Sequence, residues 1–314
     1  IFLALKYIDP IKSENPERFD LVGLALAGAG VAGLAFGLSV AGLDMLPWQI
    51  VVALILGGAA AMGLYIWHAR RTASPVLDFT LLRHTTLRAS LGGGFVFRMG
   101  VGALPFLLPL LMQIGFGLSP FKSGMVTFAS AVGAMGMKTL AARIIRTFGF
   151  RPVLILNGLI ACVSIAACAL FTPSTPVLLI MFVLIVGGFF RSLQFTAVNT
   201  MAYADVDVSE MSRATTLASV NQQLAISAGV ALGAFAVEAT MALRQSTELT
   251  AADFAPAFVV ISLVAATSTW AFYRLPQDAG HQVSGQKVTA LQGPHAAQTA
   301  PSEGTAEARD QRLN

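Results

Sequence analysis

The chain has 314 residues, 55% of them apolar and only 11% charged, with a formal net charge of +4. Ordinary soluble domains carry about 25% charged residues, and so little charge cannot cover a water-facing surface around this much apolar material, which excludes a soluble globular protein. The basic residues lie between apolar blocks and form no single patch, so the partner they point to is a lipid bilayer and not a nucleic acid.

The chain opens on an apolar stub, Ile1–Ile8, too short to span a bilayer and with no basic region ahead of it. Residues 1–20 therefore read as the end of a preceding helix and a cytoplasmic connector, not as a signal peptide. A spanning helix needs about 20 mostly apolar residues. Eight blocks qualify in chain order: 21–42, 48–67, 89–112, 123–142, 153–171, 177–200, 215–238 and 256–273. They are continuous runs, not alternations of about ten residues, so helices are expected and a β-barrel is not. The fold class is all-α, a polytopic membrane helix bundle of eight spanning helices plus the end of a ninth. Pro75, Pro120, Pro173 and Pro176 fall in the connectors, and Pro256 is predicted to open the last helix after Asp253. Trp48, Trp67, Trp270 and Tyr273 fall at block ends, where amphipathic rings favour the headgroup region. Cys162 and Cys168 share one apolar block and read as small buried side chains, with no metal spacing around them. The tail from Gln277 to Asn314 has no apolar periodicity and is predicted to be disordered.

Orientation follows from the connectors. Lys6, Lys12, Arg18, Arg70, Arg71, Arg83, Arg88, Arg143, Arg146, Arg151, Arg213 and Arg274 fall on one side, against only Lys122 and Arg244 on the other. The first side is therefore predicted to be cytoplasmic, and the C-terminus with it.

An ionisable group at bilayer depth costs at least about 2.5–3.5 kcal/mol on insertion scales, so each one asks for a reason. Arg98 and Arg191 each fall two to three residues to the cytoplasmic side of their block midpoints, about 4 Å. The pair reads either as helix–helix glue or as a cavity lined by fixed positive charge. Gln194, three residues from Arg191, is expected on the same face. Asn221, Gln222 and Gln223 enter the membrane together and cannot all face one way, so at least one is expected to be packing glue. Arg98, Arg191, Gln194, Asn221 and Gln222 are thus the candidate substrate-binding residues. Lys138 can snorkel, Glu238 reads as a solvated helix end, and Ala225, Gly229 and Gly233 mark close helix packing. The blocks 21–42, 48–67, 153–171 and 256–273 carry no Asp, Glu, Lys or Arg and are expected at the lipid-facing periphery. Pro105 and Pro109, with Gly92–Gly94, Gly100 and Gly102, prepare the Arg98 helix to bend.

Several stretches together resemble the fourteen-helix drug:proton antiporter branch of the major facilitator superfamily, the EmrB/QacA type. They are Arg18-Phe-Asp20, Pro75-Val-Leu-Asp-Phe-Thr-Leu-Leu-Arg83, Leu104-Pro-Phe-Leu-Leu-Pro109, Gly115-Phe-Gly-Leu-Ser-Pro120 with Gly124, and Phe148-Gly-Phe-Arg151. The resemblance covers about residues 1–275 and implies the C-terminal part of such a protein. It implies an extra helix pair at 21–67, a cytoplasmic connector at 68–88, and a six-helix C-terminal half of the core at 89–275, with the tail from 276 to 314 following. That half would be two inverted three-helix repeats whose first helices carry Arg98 and Arg191. One departure is the run Arg143-Ile-Ile-Arg-Thr-Phe-Gly149, which lacks the acid of the superfamily's cytoplasmic loop.

The resemblance further implies a multidrug or small-molecule efflux carrier of a bacterial inner membrane, worked by alternating access with an N-terminal half and a proton gradient. No cofactor, metal cluster, nucleotide loop or nucleophile–base arrangement is legible, so the chain is not expected to be an enzyme. An importer or facilitator of a small anion, and a membrane-embedded sensor or enzyme, stay as alternatives.

Overall fold

The computed structural model describes residues 20–42, 45–245 and 248–276. The stub at Ile1–Ile8 and the tail from Gln277 lie outside the described residues. Among the described residues, eight helices are long and apolar enough to cross a membrane. In chain order they are α1 Leu21–Val40, α2 Trp48–Ala69, α3 Thr85–Gly115, α4 Pro120–Phe148, α5 Phe150–Leu170, α6 Val177–Ala202, α7 Met211–Leu243 and α8 Ala251–Tyr273.

Helix ends follow from local chemistry. Asp20 caps α1 by accepting the Gly23 N–H at 2.7 Å and also meets His68 Nε2 of α2 at 2.9 Å. Burial pushes this carboxyl upward, but the Gly23 N–H and His68 outweigh it and hold it below the usual carboxylate range. The corner between α3 and α4 uses Gly117 at φ 67°, then Ser119 as N-cap and Pro120 as the first helical residue. The helix α4 runs on to Phe148, so Arg143 and Arg146 are helical. The expected loop shrinks to a corner at Gly149, φ 80°. Arg146 in the last turn suits the negative end of the helix dipole. The helix α8 starts at Ala251 and not at Pro256, because Thr250 and Asp253 form a reciprocal capping box five residues earlier.

The hub is α3, the most buried span. It packs against α6, α7 and α8, while α6 packs against α3, α4 and α5. The main neighbours of α3 and α6 thus correspond when the triple α3–α5 is exchanged for the triple α6–α8, while the Leu104–Gly115 part of α3 also touches α4. Missing side chains set the closest crossings. A Cβ on Gly133 of α4 would stand 1.9 Å from the Ile185 carbonyl oxygen, and one on Gly188 of α6 2.0 Å from that of Ser130. A Cβ on Gly229 of α7 would stand 2.2 Å from the Met99 carbonyl oxygen of α3, so the small-residue spacing there is a helix contact.

The hairpin α1–α2 lies against α7, where the Ser39 hydroxyl donates to Ser227 at 3.2 Å. The uncharged blocks 153–171 and 256–273, within α5 and α8, are not simply peripheral: α5 buries an apolar face against α6 and α8, and α8 one against α3, α5 and α7, while their other faces stay exposed. Exposed large apolar side chains such as Phe128, Leu170, Leu178, Phe182 and Leu263 suit hydrocarbon as solvent. At the arginine-rich end, Arg71 covers the Trp67 ring at 3.9 Å and Arg274 covers Trp270 at 3.7 Å.

The connector after α2 is tied down at the same end. The Tyr65 hydroxyl donates to the Leu77 carbonyl at 3.0 Å and accepts the Leu77 N–H. Asp78 accepts the Thr80 N–H at 2.9 Å and meets Arg213 at 3.3 Å, and Glu210 takes Arg83 at 2.6 Å and His84 at 3.0 Å.

Candidate functional site

Both midmembrane arginines are buried, Arg98 to 5% exposure and Arg191 to 6%. Each runs back along its own helix over a glycine one turn earlier. A Cβ on Gly94 would stand 2.8 Å from Arg98 Nη1, and one on Gly187 2.7 Å from Arg191 Nη1. That direction is the rule for helical side chains, whose Cα–Cβ bonds tilt toward the N-terminus.

Because α3 and α6 run antiparallel, the same rule sends the two guanidiniums apart. Arg98 reaches toward the arginine-rich end, donates to Asn199 Oδ1 at 2.5 Å and lies 5.6 Å from the Phe195 ring centre. Arg191 reaches the other way and donates to Ser130 Oγ on α4 at 2.7 Å. The Arg98 head lies at the level of Val198, which Gly94 touches, and the Arg191 head at the level of Gly187. Eleven residues of α6 separate those levels, about 16 Å at 1.5 Å per residue. A single solute touching both would have to span that length.

Among the described residues no carboxylate lies within 4.0 Å of either guanidinium. Arg98 Nε is buried without a partner. Two buried charges held by neutral oxygens alone are expensive, and a counter-charge from outside these helices would relieve them.

The remaining candidates separate. Gln194 is fully buried in the α5–α6 seam, donating to the Leu154 carbonyl at 2.9 Å and accepting from Asn157 at 2.9 Å. Asn157 also donates to the Phe190 carbonyl at 3.0 Å. Gln194 therefore faces α5, while Arg191 bonds α4 through Ser130 with Ser164 and Cys168 of α5 close by. Asn221 donates to the Leu91 carbonyl at 3.1 Å and ties α7 to α3. Gln222 is half-buried and Gln223 exposed on the same helix. Ser130, Asn199 and Asn157 are polar partners that the sequence reading passed over. Asn199 stands two turns after Arg191 on α6, and that spacing was the available signal.

Arg191 lines a groove of about 460 Å³ between α3 and α4. The α3 wall is Val101, Leu104, Pro105, Leu108 and Pro109, and the α4 wall runs from Gly124 through Thr127, Phe128, Ser130 and Ala131 to Ala134. The groove exists because α3 is interrupted. Pro105 and Pro109 lack the N–H groups that a regular helix would direct at Val101 and Pro105. The helix breaks at Ala103 and ends in a π-helical turn, Leu111–Gly115.

A bundle whose described residues form eight spanning helices, with buried arginines that no described acid neutralises beside an interrupted helix, has the build of a solute transporter. Residues 90–305 match the Major Facilitator Superfamily, and the chain belongs to that superfamily of membrane transporters. It is similar to proteins named "Putative multidrug resistance protein MdtD". That of Yersinia enterocolitica is 30% identical over 283 residues, covering 88% of this chain and 60% of the relative. That of Klebsiella pneumoniae (strain 342) is 32% identical over 287 residues, covering 88% of this chain and 59% of the relative. The chain thus spans about half to 60% of the length of the relatives it matches.

Proposed function

We propose that this chain is the C-terminal portion of a small-molecule efflux transporter of a bacterial inner membrane, with the arginine-rich end and the C-terminus in the cytoplasm. The carrying observation is Arg191, which is buried near the centre of α6, carries a charge no described acid neutralises, and lines a mostly apolar groove. The relatives' name supports efflux of drug-like solutes, and their greater length supports a second, N-terminal half.

In this reading α1–α2 is the extra pair, and α3–α5 and α6–α8 are inverted repeats of the core. The matching neighbours of α3 and α6 support that assignment. The two halves rock about the bilayer centre and expose the site alternately. Arg98 and Asn199, near the cytoplasmic end, draw an anionic or neutral solute inward, and Arg191 holds it near the midplane. Gln222 offers a further amide, while Gln194 and Asn221 fix the helices. A proton gradient supplies the energy.

The test uses inverted membrane vesicles carrying the full-length transporter, energised by respiration. Solute should accumulate inside them, and a protonophore should release it. Normal insertion with no accumulation of any drug-like solute would contradict efflux.

A further inference from the structure

We propose that the groove between α3 and α4 seats an amphipathic organic monoanion, its flat apolar body between the two helices and its carboxylate or sulfonate on Arg191. The inference rests on the transporter reading and narrows it to a substrate class.

The charge of the occupant follows from Arg191. A guanidinium carries five N–H donors. One nitrogen is engaged with Ser130, and no described carboxylate is within 4.0 Å. At this depth an arriving anion meets a fixed positive charge with little water to screen it, whereas a cation meets repulsion. A planar carboxylate also matches the guanidinium fork, which can give it two parallel hydrogen bonds.

The body of the occupant follows from the walls. Pro105, Leu108 and Pro109 on one side and Gly124 and Phe128 on the other form an apolar slot. Thr127 adds little polarity, since its hydroxyl already donates to the carbonyls of Ser123 at 2.9 Å and Gly124 at 3.1 Å. A volume of about 460 Å³ lies within the usual range for small-molecule pockets, roughly 300–1,000 Å³. A Cβ on Gly124 would meet nothing within 4 Å, so the missing side chain there keeps the slot open and is not demanded by helix packing.

The single charge follows from distance. The Arg98 guanidinium lies about 16 Å away along α6 and cannot pair with a second acid on the same small molecule. A second carboxylate would be buried against apolar walls at a desolvation cost.

The test measures binding of tritiated 2-naphthoate to the full-length transporter in nanodiscs. Competitors are 2-naphthylmethanol, 2-naphthylmethylammonium and 2,6-naphthalenedicarboxylate, which keep the ring and vary the charge. The monoanion should bind best, the alcohol more weakly, and the ammonium and the dianion least. Arg191→Gln should weaken naphthoate about tenfold or more and move the alcohol far less, because only the charge-assisted contact is lost. Gly124→Leu should abolish binding of both by filling the slot. Gly136→Leu, on the same helix at a position equally open but outside the groove, should leave both unchanged. Should Arg191→Gln not fold, the two glycine variants decide alone. Naphthoate binding that survives Gly124→Leu, or ammonium binding that equals naphthoate, overturns the proposal. Either result is separable from failure of the efflux reading, which shows as absent solute accumulation in energised vesicles whatever binds.

Discussion

The guanidiniums of Arg98 and Arg191 lie about 16 Å apart along α6, although their Cα atoms differ in level by only about three residues. Contacts fix both levels: Arg98 meets Asn199 and Phe195, whereas Arg191 meets Ser130 and lies over Gly187. Antiparallel helices turn one side-chain rule into opposite directions. The consequence is one charge near the membrane centre and another near the arginine-rich surface.

The α4–α6 seam is predicted to be intolerant of bulk. Gly188→Leu would drive a side chain into the Ser130 carbonyl, which a Cβ alone approaches to 2.0 Å. Overpacking of this kind costs about 1–3 kcal/mol or more. The purified variant should melt several degrees lower, with Gly136→Leu melting like wild type. Equal melting temperatures for all three proteins would mean the seam yields freely.

Asp253 is fully buried and accepts from Thr250 N–H at 2.8 Å, from Thr250 Oγ1 at 2.8 Å and from Arg244 at 2.7 Å. Asp253→Ala removes the capping box and the Arg244 ion pair, leaving Arg244 only its bond to Thr250, a loss of about 1–3 kcal/mol. Arg244→Ala should cost less, since the box survives it. Thermal melts of the two variants in the same detergent check the order. Asp253→Ala melting at or above Arg244→Ala would contradict it.

Much of this architecture was legible in the sequence. Eight apolar blocks became eight spanning helices because continuous apolar runs leave a backbone in lipid no other way to satisfy its polar groups. What was not legible depended on direction and on neighbours. Residue counting put Arg98 and Arg191 at one depth but could not see their side chains diverge. Gln194 is only about 60° around the helix from Arg191, at 100° per residue, yet that angle separates the α5 seam from the α4 seam. Pro256 looked like a helix start because the stronger signal, the Thr250–Asp253 capping box, lay in a connector read only for its breakers.

Orientation can be tested without any substrate. If the arginine-rich end is cytoplasmic, a cysteine placed at Leu46 should react with an impermeant thiol reagent added to intact cells. One placed at Ser74 should react only after permeabilisation. The reverse pattern would invert the bundle and the transport direction argued from it.

The 314-residue chain expressed alone is predicted to insert but to move no solute, because in the proposed mechanism the pathway needs walls from a second half. Membrane fractionation with vesicle uptake checks both points. Energy-dependent efflux by this chain in cells lacking any longer form would contradict the rocking of two halves.

The central claim is that buried positive charge selects the solute, and the direct measurement is uptake of charge-matched solutes into energised inverted vesicles. At an effective dielectric near 20, a unit charge about 6 Å from a guanidinium interacts by roughly 3 kcal/mol, enough to decide selectivity. Wild type should accumulate the anionic member of a matched aromatic pair and leave the cation outside. Arg191→Ala should abolish anion uptake at normal membrane abundance. Arg98→Lys should impair it, because the charge is kept while the planar fork is lost. If wild type accumulates the cation as fast as the anion, or if Arg98→Ala and Arg191→Ala both insert normally and still accumulate the anion at the wild-type rate, the arginines only hold helices together and the claim is wrong.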